Sequence, residues 1–342
     1  MNEAVFPLFG TVLVVLVVLP ACALLAKAGL VFLERADAAG PLHGLDLRYL
    51  LLTGSSLLPL AWLLSAGLHQ VEEGGASALA CLLDHGKTTS CWEPGFFALV
   101  LALASAALTV GRWGAWSGVG ASSSPTAAVF TARLERLLTE AHELDGLRGR
   151  LVVTEAPGFA LGTMGLLAPR VFVGLSFAEG LSDEALRAAL GHELEHVRAR
   201  DPLRYFALEV ALGLNPLGRR LLEPHARNWQ AAREAHCDRE AVLGGAAPLS
   251  LADAIVRAAR PTGGSAGAGL GQGDTAVLRL RVGLLLAFAE RAPRRCCQRS
   301  TAVLPAAGIL LLIALVLPHQ TGTVALDVLH TSAEHALTFV WQ

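Results

Sequence analysis

The stretch HELEH at residues 192–196 decides how the rest of this chain is interpreted. Histidines four residues apart lie on one face of a helix, so His192 and His196 can both reach one metal ion. Glu193 would then stand beside that ion, where its carboxylate can take the proton of a bound water. The pattern is typical of zinc-dependent hydrolases. The alternative interpretation is an exposed helix that carries two histidines by chance.

The residues around the motif favour a helix at this place. Ser182 can cap a helix, and the acidic pair Asp183–Glu184 would occupy its first turn, where the helix dipole favours negative charge. Leu186 and Leu190 form the beginning of an apolar stripe. Asp201–Pro202 indicates the end of this helix and the cap of the next one.

The third metal ligand is less clear, because a catalytic zinc site usually has three protein ligands. The metzincin extension is absent, since Ala199 and Pro202 stand where it requires glycine and histidine. Glu234 and Asp238 share a helix face, so one could bind the metal while the other orients a ligand. A solvated charged helix is equally consistent with their spacing. The candidates are Glu209, Glu223, His225, Glu234, His236 and Asp238.

The composition is that of a membrane protein. Hydrophobic residues make up 53% of the 342 residues, and only 16% are charged, with a mean hydropathy of +0.51. This is too apolar for an ordinary soluble protein. Four apolar blocks approach the ~20 residues that cross a bilayer; they are residues 8–33, 49–68, 95–111 and 302–318. The first block lacks a basic start, so we interpret it as a retained span rather than a signal peptide.

The arginines predict the orientation of these spans. Loop 69–94 has Lys87 as its only basic residue, and the tail 319–342 has none, whereas segment 113–301 holds most of the arginines. The positive-inside rule then places both termini outside and segment 113–301 in the cytoplasm. The net charge of −2 gives no indication of direct nucleic-acid binding.

The cysteines agree with this arrangement. Cys81 and Cys91 lie in the predicted outer loop, where an oxidising compartment would allow a disulfide, although two free thiols remain the alternative. Cys237 stands close to Glu234 and is a less favoured metal ligand.

The segment between the third and fourth spans has the pattern of an α+β domain. Gly158–Gly162 predicts an edge strand beside the metal, which could pair with an extended substrate; a plain hairpin is the alternative. The other predicted elements are a linker (114–125), helices (126–144, 202–214 and 276–290), strands (151–154 and 171–173) and a glycine-rich loop (261–275).

These motifs resemble peptidase family M56, the membrane metallopeptidases of the antibiotic-sensor (BlaR/MecR) type. That family is related to the M48 family of HtpX-like and CAAX-prenyl proteases. The resemblance rests on HELEH with Asp201 five residues later and on EAHCD at residues 234–238, and it covers roughly residues 125–245 and the arrangement of spans. It implies a zinc ion bound by His192, His196 and Glu234, with Glu193 as general base and Asp238 as a supporting residue. Glu195 departs from the usual small or apolar residue of such motifs, and we expect it to point away from the metal.

The predicted fold is therefore mostly α. It is a four-span α-helical membrane protein with a cytoplasmic α+β zincin-like metallopeptidase domain inserted between spans 3 and 4. The predicted parts are three transmembrane helices (1–112, with outer loop 69–94), the metallopeptidase domain (113–301), the fourth transmembrane helix (302–318) and a short extracytoplasmic tail (319–342).

The predicted function is that of a zinc-dependent endopeptidase in the cell membrane, cleaving a protein or peptide at the cytoplasmic side. Its substrate would be, for example, a cytoplasmic repressor in regulatory signalling, or damaged membrane proteins in quality control. Two alternatives remain at this point: a transmembrane sensor whose metal site is not catalytic, and another zinc hydrolase that uses the same helix.

Overall fold

The computed structural model describes residues 14–36, 44–73, 94–113, 120–259 and 275–291. Within these ranges the chain is mostly helical, with one three-stranded sheet. The mostly helical fold predicted from the sequence is therefore confirmed. Some predictions lie outside the described residues; they concern Cys81, Cys91, residues 261–274, the fourth span 302–318 and the tail 319–342.

Three long helices form the N-terminal part. A π-helical turn, Val14–Val18, leads into α1 (Leu19–Ala36), which is followed by α2 (Leu45–Glu73) and α3 (Pro94–Trp113). The segment Val15–Arg35 has a mean hydropathy of 2.4 and is long and apolar enough to cross a membrane, by length and composition alone. A signal sequence near an N-terminus passes the same test. Residues 69–73 of the predicted loop 69–94 belong to α2, and Pro94 begins α3.

The second part begins after residues 120–124, which are not helical. A helix and a short 3₁₀ helix come first, three strands follow, and helices make up the rest of the described residues. The elements are α4 (Pro125–Glu140), a 3₁₀ helix (His142–Leu147), β1 (Leu151–Thr154), β2 (Leu161–Met164), β3 (Arg170–Gly174), α5 (Leu175–Glu179), α6 (Asp183–Ala199), α7 (Asp201–Leu214), α8 (Gly218–Leu243), α9 (Pro248–Ala258) and α10 (Thr275–Glu290). Helix α4 ends before residue 144, because Ala141 leaves the helical region with φ −113° and ψ 88°.

The small sheet has the order β1-β3-β2, with β1 parallel and β2 antiparallel to β3. Strand β1 has the predicted bounds, and β3 is one residue longer at each end. The predicted strand 158–162 overlaps β2 only at Leu161 and Gly162, because the chain still turns at Phe159, whose N–H donates to Ala156 O. Within the described residues β2 lies at the edge of the sheet, where it pairs with β3.

Helix α6 lies in the centre of the main core, between the sheet and helices α8 and α9. Its apolar face is built from alanine and leucine, among them Leu186, Leu190 and Leu194, which are almost fully buried. Burial of such a face, rather than helix propensity, supplies most of a helix's stability in a folded protein. The HELEH residues are therefore held on a rigid element.

A second core joins the N-terminal helices to α7 and α8. Trp229 of α8 is buried there, and its Nε1–H donates to Leu45 O at 3.0 Å. The ring of Tyr49 packs on Trp229, with ring centroids 5.1 Å apart. The same cluster contains Ala23, Ala26, Leu30, Leu52, Leu208, Leu212, Leu222, Ala226 and Ala232. Helices α1 and α2 thus share a core with the helix that carries Glu234 and Asp238.

Gly174, at the end of β3, is required by a close backbone approach. A Cβ atom there would lie 1.9 Å from Phe159 O. We expect Gly174→Ala to destabilise the protein by about 1–3 kcal/mol through overpacking. Gly191→Ala in α6 is the matched control, because its Cβ would meet only ordinary contacts at 3.8–4.0 Å. The midpoint of thermal unfolding in detergent should fall for the first variant and not for the second; equal midpoints would contradict the argument.

Candidate metal centre

Helix α6 carries the HELEH residues into the protein interior. Its N-terminus is capped by the Ser182 hydroxyl, which accepts from Ala185 N–H at 3.2 Å, as the sequence predicts. The helix ends at Ala199, because Arg200 adopts the left-handed conformation with φ 54°. Asp201 is therefore the first residue of α7 rather than its cap. On the buried face, the relative exposure is 0% for His192 and 7% for His196.

Three side chains offer ligand atoms to one common point. The Nε2 atoms of His192 and His196 are 3.1 Å apart. Glu234 Oε2 lies 3.4 Å from His192 Nε2, and Glu234 Oε1 lies 3.4 Å from His196 Nε2. Ligands of a tetrahedral zinc ion, with bonds of 2.0–2.1 Å, are separated by about 3.3 Å. The spacing of the three side chains therefore fits a metal ion of that size.

The second nitrogen of each imidazole faces a carboxylate. His196 Nδ1 lies 2.7 Å from Asp201 Oδ2 and forms a hydrogen bond with it. His192 Nδ1 is also 2.7 Å from Asp238 Oδ1, but this contact lacks the alignment of a hydrogen bond and is chiefly electrostatic. Carboxylates in these positions hold the proton on Nδ1 and turn Nε2 outward as the metal-binding nitrogen. Two such lone pairs at 3.1 Å repel each other unless a cation lies between them.

Two buried arginines complete the surroundings. Arg281 of α10 is 5% exposed, and its Nε and Nη2 donate to the two oxygens of Asp238 at 2.7 Å each. Its Nη1 lies 3.0 Å from Glu234 Oε2. Arg233 donates from Nε to Asp201 Oδ2 at 2.8 Å. Both arginines thus fix carboxylates that in turn fix the imidazoles.

The charges of the site favour a divalent cation. Its carboxylates are Glu193, Asp201, Glu234 and Asp238, and its cations are Arg233 and Arg281. With neutral imidazoles, four negative and two positive charges leave a formal charge of −2. Burying such a charge is unfavourable unless it is balanced. A metal ion of charge +2 balances it.

Electrostatics also set the protonation of the ligands. Burial raises the pKa of Glu234, but the charges of His196 and Arg281 outweigh it and hold that pKa well below its usual range. Burial lowers the pKa of His192, but the adjacent Asp238 carboxylate more than compensates, so this pKa is raised. Without a metal, a proton therefore competes for the imidazole nitrogens.

Glu193 is fixed by the edge strand of the sheet. The hydroxyl of Thr163, in β2, donates to Glu193 Oε2 at 2.6 Å. Glu193 itself is 2% exposed. Glu195, two residues later, forms an ion pair with Arg198 on the other side of the helix, as expected from the sequence. Of the two acids inside the motif, only Glu193 is thus held beside the edge strand.

The remaining ligand candidates lie elsewhere. Glu209 pairs with Arg219, Glu223 pairs with Arg227, and His225 contacts Glu34 of α1. Burial, together with nearby arginines, lowers the pKa of His236 to about 4. Among the described residues, none of these four side chains belongs to a group that could hold a metal ion.

Cys237 belongs to a second group that could hold a metal, with His196 and Asp201. Its Sγ lies 3.7 Å from His196 Nδ1 and 3.9 Å from Asp201 Oδ2. Arg233 already places a positive charge against Asp201 there, which disfavours a further cation. We therefore take the group of His192, His196 and Glu234 as the candidate metal centre.

Sequence reasoning missed three residues of this site. Thr163 and Tyr205 carry hydroxyls that reach Glu193 and Glu234, the latter at 3.4 Å. Arg281 lies in the largely apolar stretch LRLRVGLLL at residues 278–286 beside a second arginine, Arg279, so the sequence does not indicate which of the two is buried. His225, Asn228 and Arg233, which the sequence offers as donors to an oxyanion, have other partners: the first two contact Glu34, and Arg233 donates to Asp201.

The role of Arg281 can be tested through metal affinity. We expect Arg281→Gln to weaken zinc binding roughly 10- to 100-fold, because Asp238 and Glu234 lose the cation that positions them. Arg281→Lys should recover only part of this loss, since an ammonium group cannot bind Asp238 in a bidentate manner. Arg279→Gln, an exposed position on the same helix, is the control. Equal zinc affinity of Arg281→Gln and Arg279→Gln in a chelator competition would refute the role.

Metal affinity should also depend on pH. The metal binds the neutral imidazole, and the pKa of His192 is raised above the ordinary 6.5. Affinity is therefore complete above this raised pKa and is lost as the pH falls through it, by about tenfold per pH unit for each protonated histidine. Chelator competition between about pH 5.5 and pH 8.5 measures this, with the chelator alone as reference. Affinity that stays constant down to the lowest pH would contradict the protonation argument.

No protein-family model, no curated protein and no solved structure matches the chain.

Proposed function

We propose that this chain is a membrane-embedded zinc endopeptidase. The observation that carries the proposal is the convergence of His192, His196 and Glu234 within ligand distance of one another, with Glu193 beside them on the same helix turn. Zinc is favoured because two imidazoles and one carboxylate are the ligand set of many catalytic zinc sites. The resemblance to peptidase family M56 supports the same assignment.

Each residue of the candidate site would have its own role in the reaction. A zinc ion held by His192, His196 and Glu234 would supply Lewis acidity at the scissile carbonyl and lower the pKa of a bound water. Glu193 accepts the proton of the attacking water and returns a proton to the leaving amine. Thr163 holds the Glu193 carboxylate in place through its 2.6 Å hydrogen bond.

The substrate would be an extended peptide. Strand β2 pairs with no strand other than β3 in the part of the chain that the structure describes, and its Thr163 contacts Glu193. A peptide that adds to this free edge would lie beside the candidate metal centre and gain backbone hydrogen bonds. Binding through backbone hydrogen bonds depends little on the side chains of the bound peptide. It therefore suits a protease that acts on a repressor or on several membrane proteins.

The proposed membrane arrangement has four spans. Helices α1, α2 and α3 would be the first three, since 18, 29 and 20 residues extend about 27, 44 and 30 Å. Their exposed apolar side chains would face lipid; they include Leu24, Leu25, Phe32, Leu103 and Leu108. Residues 302–318 would form the fourth span. The excess of arginines in segment 113–301 favours a cytoplasmic position for the catalytic domain.

A non-catalytic metal site in a transmembrane sensor is the second candidate. The deep burial of His192 and Glu193 favours it, because a catalytic zinc ion needs an open position for water and substrate. Both proposals share the same ligands, so metal content does not distinguish them. Peptide cleavage does.

Glu193→Gln separates the two candidates. We expect this variant to bind zinc normally and to lose cleavage of casein, or of itself, by about 10²- to 10⁴-fold in detergent, since the amide cannot accept a proton. Glu195→Gln is the matched control, because Glu195 belongs to the same motif but pairs with Arg198. Full activity of Glu193→Gln would remove the assigned role. Absence of cleavage by the zinc-loaded native protein on all peptides would favour the sensor.

A further inference from the structure

We infer that α7 and the first half of α8 form a re-entrant hairpin, residues 201–229, whose partner is the hydrocarbon core of the bilayer beside α1, α2 and α3. This inference rests on the proposed membrane position of those three helices. It assigns the hairpin to the membrane, whereas the sequence predicted only that residues 202–214 are helical.

The turn of the hairpin lies deep along α1. Asn215, in the turn, donates from Nδ2 to Leu19 O at 2.6 Å. Leu19 is about 24 Å from Arg35 at the other end of α1, at a rise of 1.5 Å per residue. The hydrocarbon core of a bilayer is about 30 Å thick. If α1 spans the membrane, the turn therefore lies beyond the middle of the bilayer.

Contacts with α2 and α3 agree with this depth. Leu214 at the end of α7 belongs to one cluster with Leu19 and Leu60, and Leu60 is about 22 Å from the start of α2. The hydroxyl of Ser105, near the middle of α3, donates to Val210 O at 3.2 Å. The hairpin thus runs along all three helices rather than resting on their ends.

The helix contact at Ser105 has the character of a membrane interface. A Cβ atom on Gly213 would lie 2.9 Å from Ser105 Oγ, so a larger residue there would displace the Ser105 hydroxyl. Small residues at such contacts let helix backbones come close, which is how helices associate in lipid.

The turn satisfies its own polar groups. Asn215 Oδ1 accepts from Leu217 N–H at 3.0 Å, and Asn215 O accepts from Gly218 N–H at 2.9 Å. Together with the bond to Leu19 O, these contacts pair both the amide nitrogen and the amide oxygen of Asn215, which is 2% exposed. Non-helical backbone at membrane depth is tolerated only when such groups are paired inside the protein.

Charged residues on the hairpin are paired across and along it. Glu209 of α7 and Arg219 of α8 approach to 2.8 Å, and Glu223 and Arg227 approach to 2.6 Å. Ionisable residues within membranes are usually paired in this way. Arg220 is exposed on the outer face, where its long side chain can carry the guanidinium toward the headgroups.

The hairpin places the metal centre at the membrane surface. Helix α8 leaves the bilayer after Trp229 and carries Glu234 just over one turn later. Peptide segments that emerge from the cytoplasmic face of the bilayer would be the nearest substrates. Under the proposed function, this narrows the substrate class to membrane proteins cut next to a span.

Nitroxide labels on the full chain in lipid vesicles test the inference. The background replaces Cys22, Cys81, Cys91, Cys296 and Cys297 with serine and keeps Cys237, which is fully buried. One label is then introduced by Pro216→Cys at the exposed turn, by Leu25→Cys on α1 or by Val129→Cys on α4. Accessibility to oxygen reports lipid, and accessibility to a water-soluble nickel chelate reports solvent. Leu217→Cys serves as a second position in the turn if Pro216→Cys does not insert.

We expect the labels at positions 216 and 25 to be accessible to oxygen and protected from nickel, and the label at position 129 to behave oppositely. A protected label at 25 with a nickel-accessible label at 216 would overturn the hairpin while leaving the membrane spans intact. Nickel accessibility at position 25 would instead remove the membrane position of α1, and with it this inference. Neither result would bear on the zinc chemistry of Glu193.

Discussion

The opposition of two imidazole nitrogens at 3.1 Å is the constraint on which the rest of this site depends. A carboxylate lies 2.7 Å from Nδ1 on the other side of each ring, which favours the tautomer whose Nε2 is free to bind a metal ion. The surrounding acids and arginines extend this arrangement outward, so that Asp201 is held by Arg233 and Asp238 by Arg281. Arg233 and Arg281 thus place a positive charge beside three of the four buried carboxylates, Asp201, Glu234 and Asp238.

The metal centre also depends on the packing of distant parts of the chain. Glu234 reaches the histidines because of the position at which α8 crosses α6. The contacts of α7 and α8 with α1 and α2 fix that position along α6. Arg281 arrives from α10, after a glycine-rich segment. The site is therefore assembled by tertiary structure around one locally determined helix.

This division explains what could be predicted from the sequence. The motif helix was predictable because Ser182, the acidic first turn and the leucine stripe are local signals. The strands at 151–154 and 171–173 were also predictable from the local sequence. Spacing alone did not select Glu234 among six downstream candidates, because that choice depends on how α8 lies against α6. Arg281 was not predicted, since nothing local distinguishes a buried guanidinium from a solvated one.

The contact between α1 and α8 has a mechanical consequence. Glu34 accepts from His225 Nδ1 at 2.9 Å and from Asn228 at 3.4 Å, one to three turns before Glu234 on the same helix. Pro224 interrupts the backbone bonding of α8 just before this clamp, so the helix can bend there while the portion beyond it stays stiff. A sliding or tilting of α1 would thus be transmitted along α8 to the Glu234 carboxylate, which faces both imidazoles.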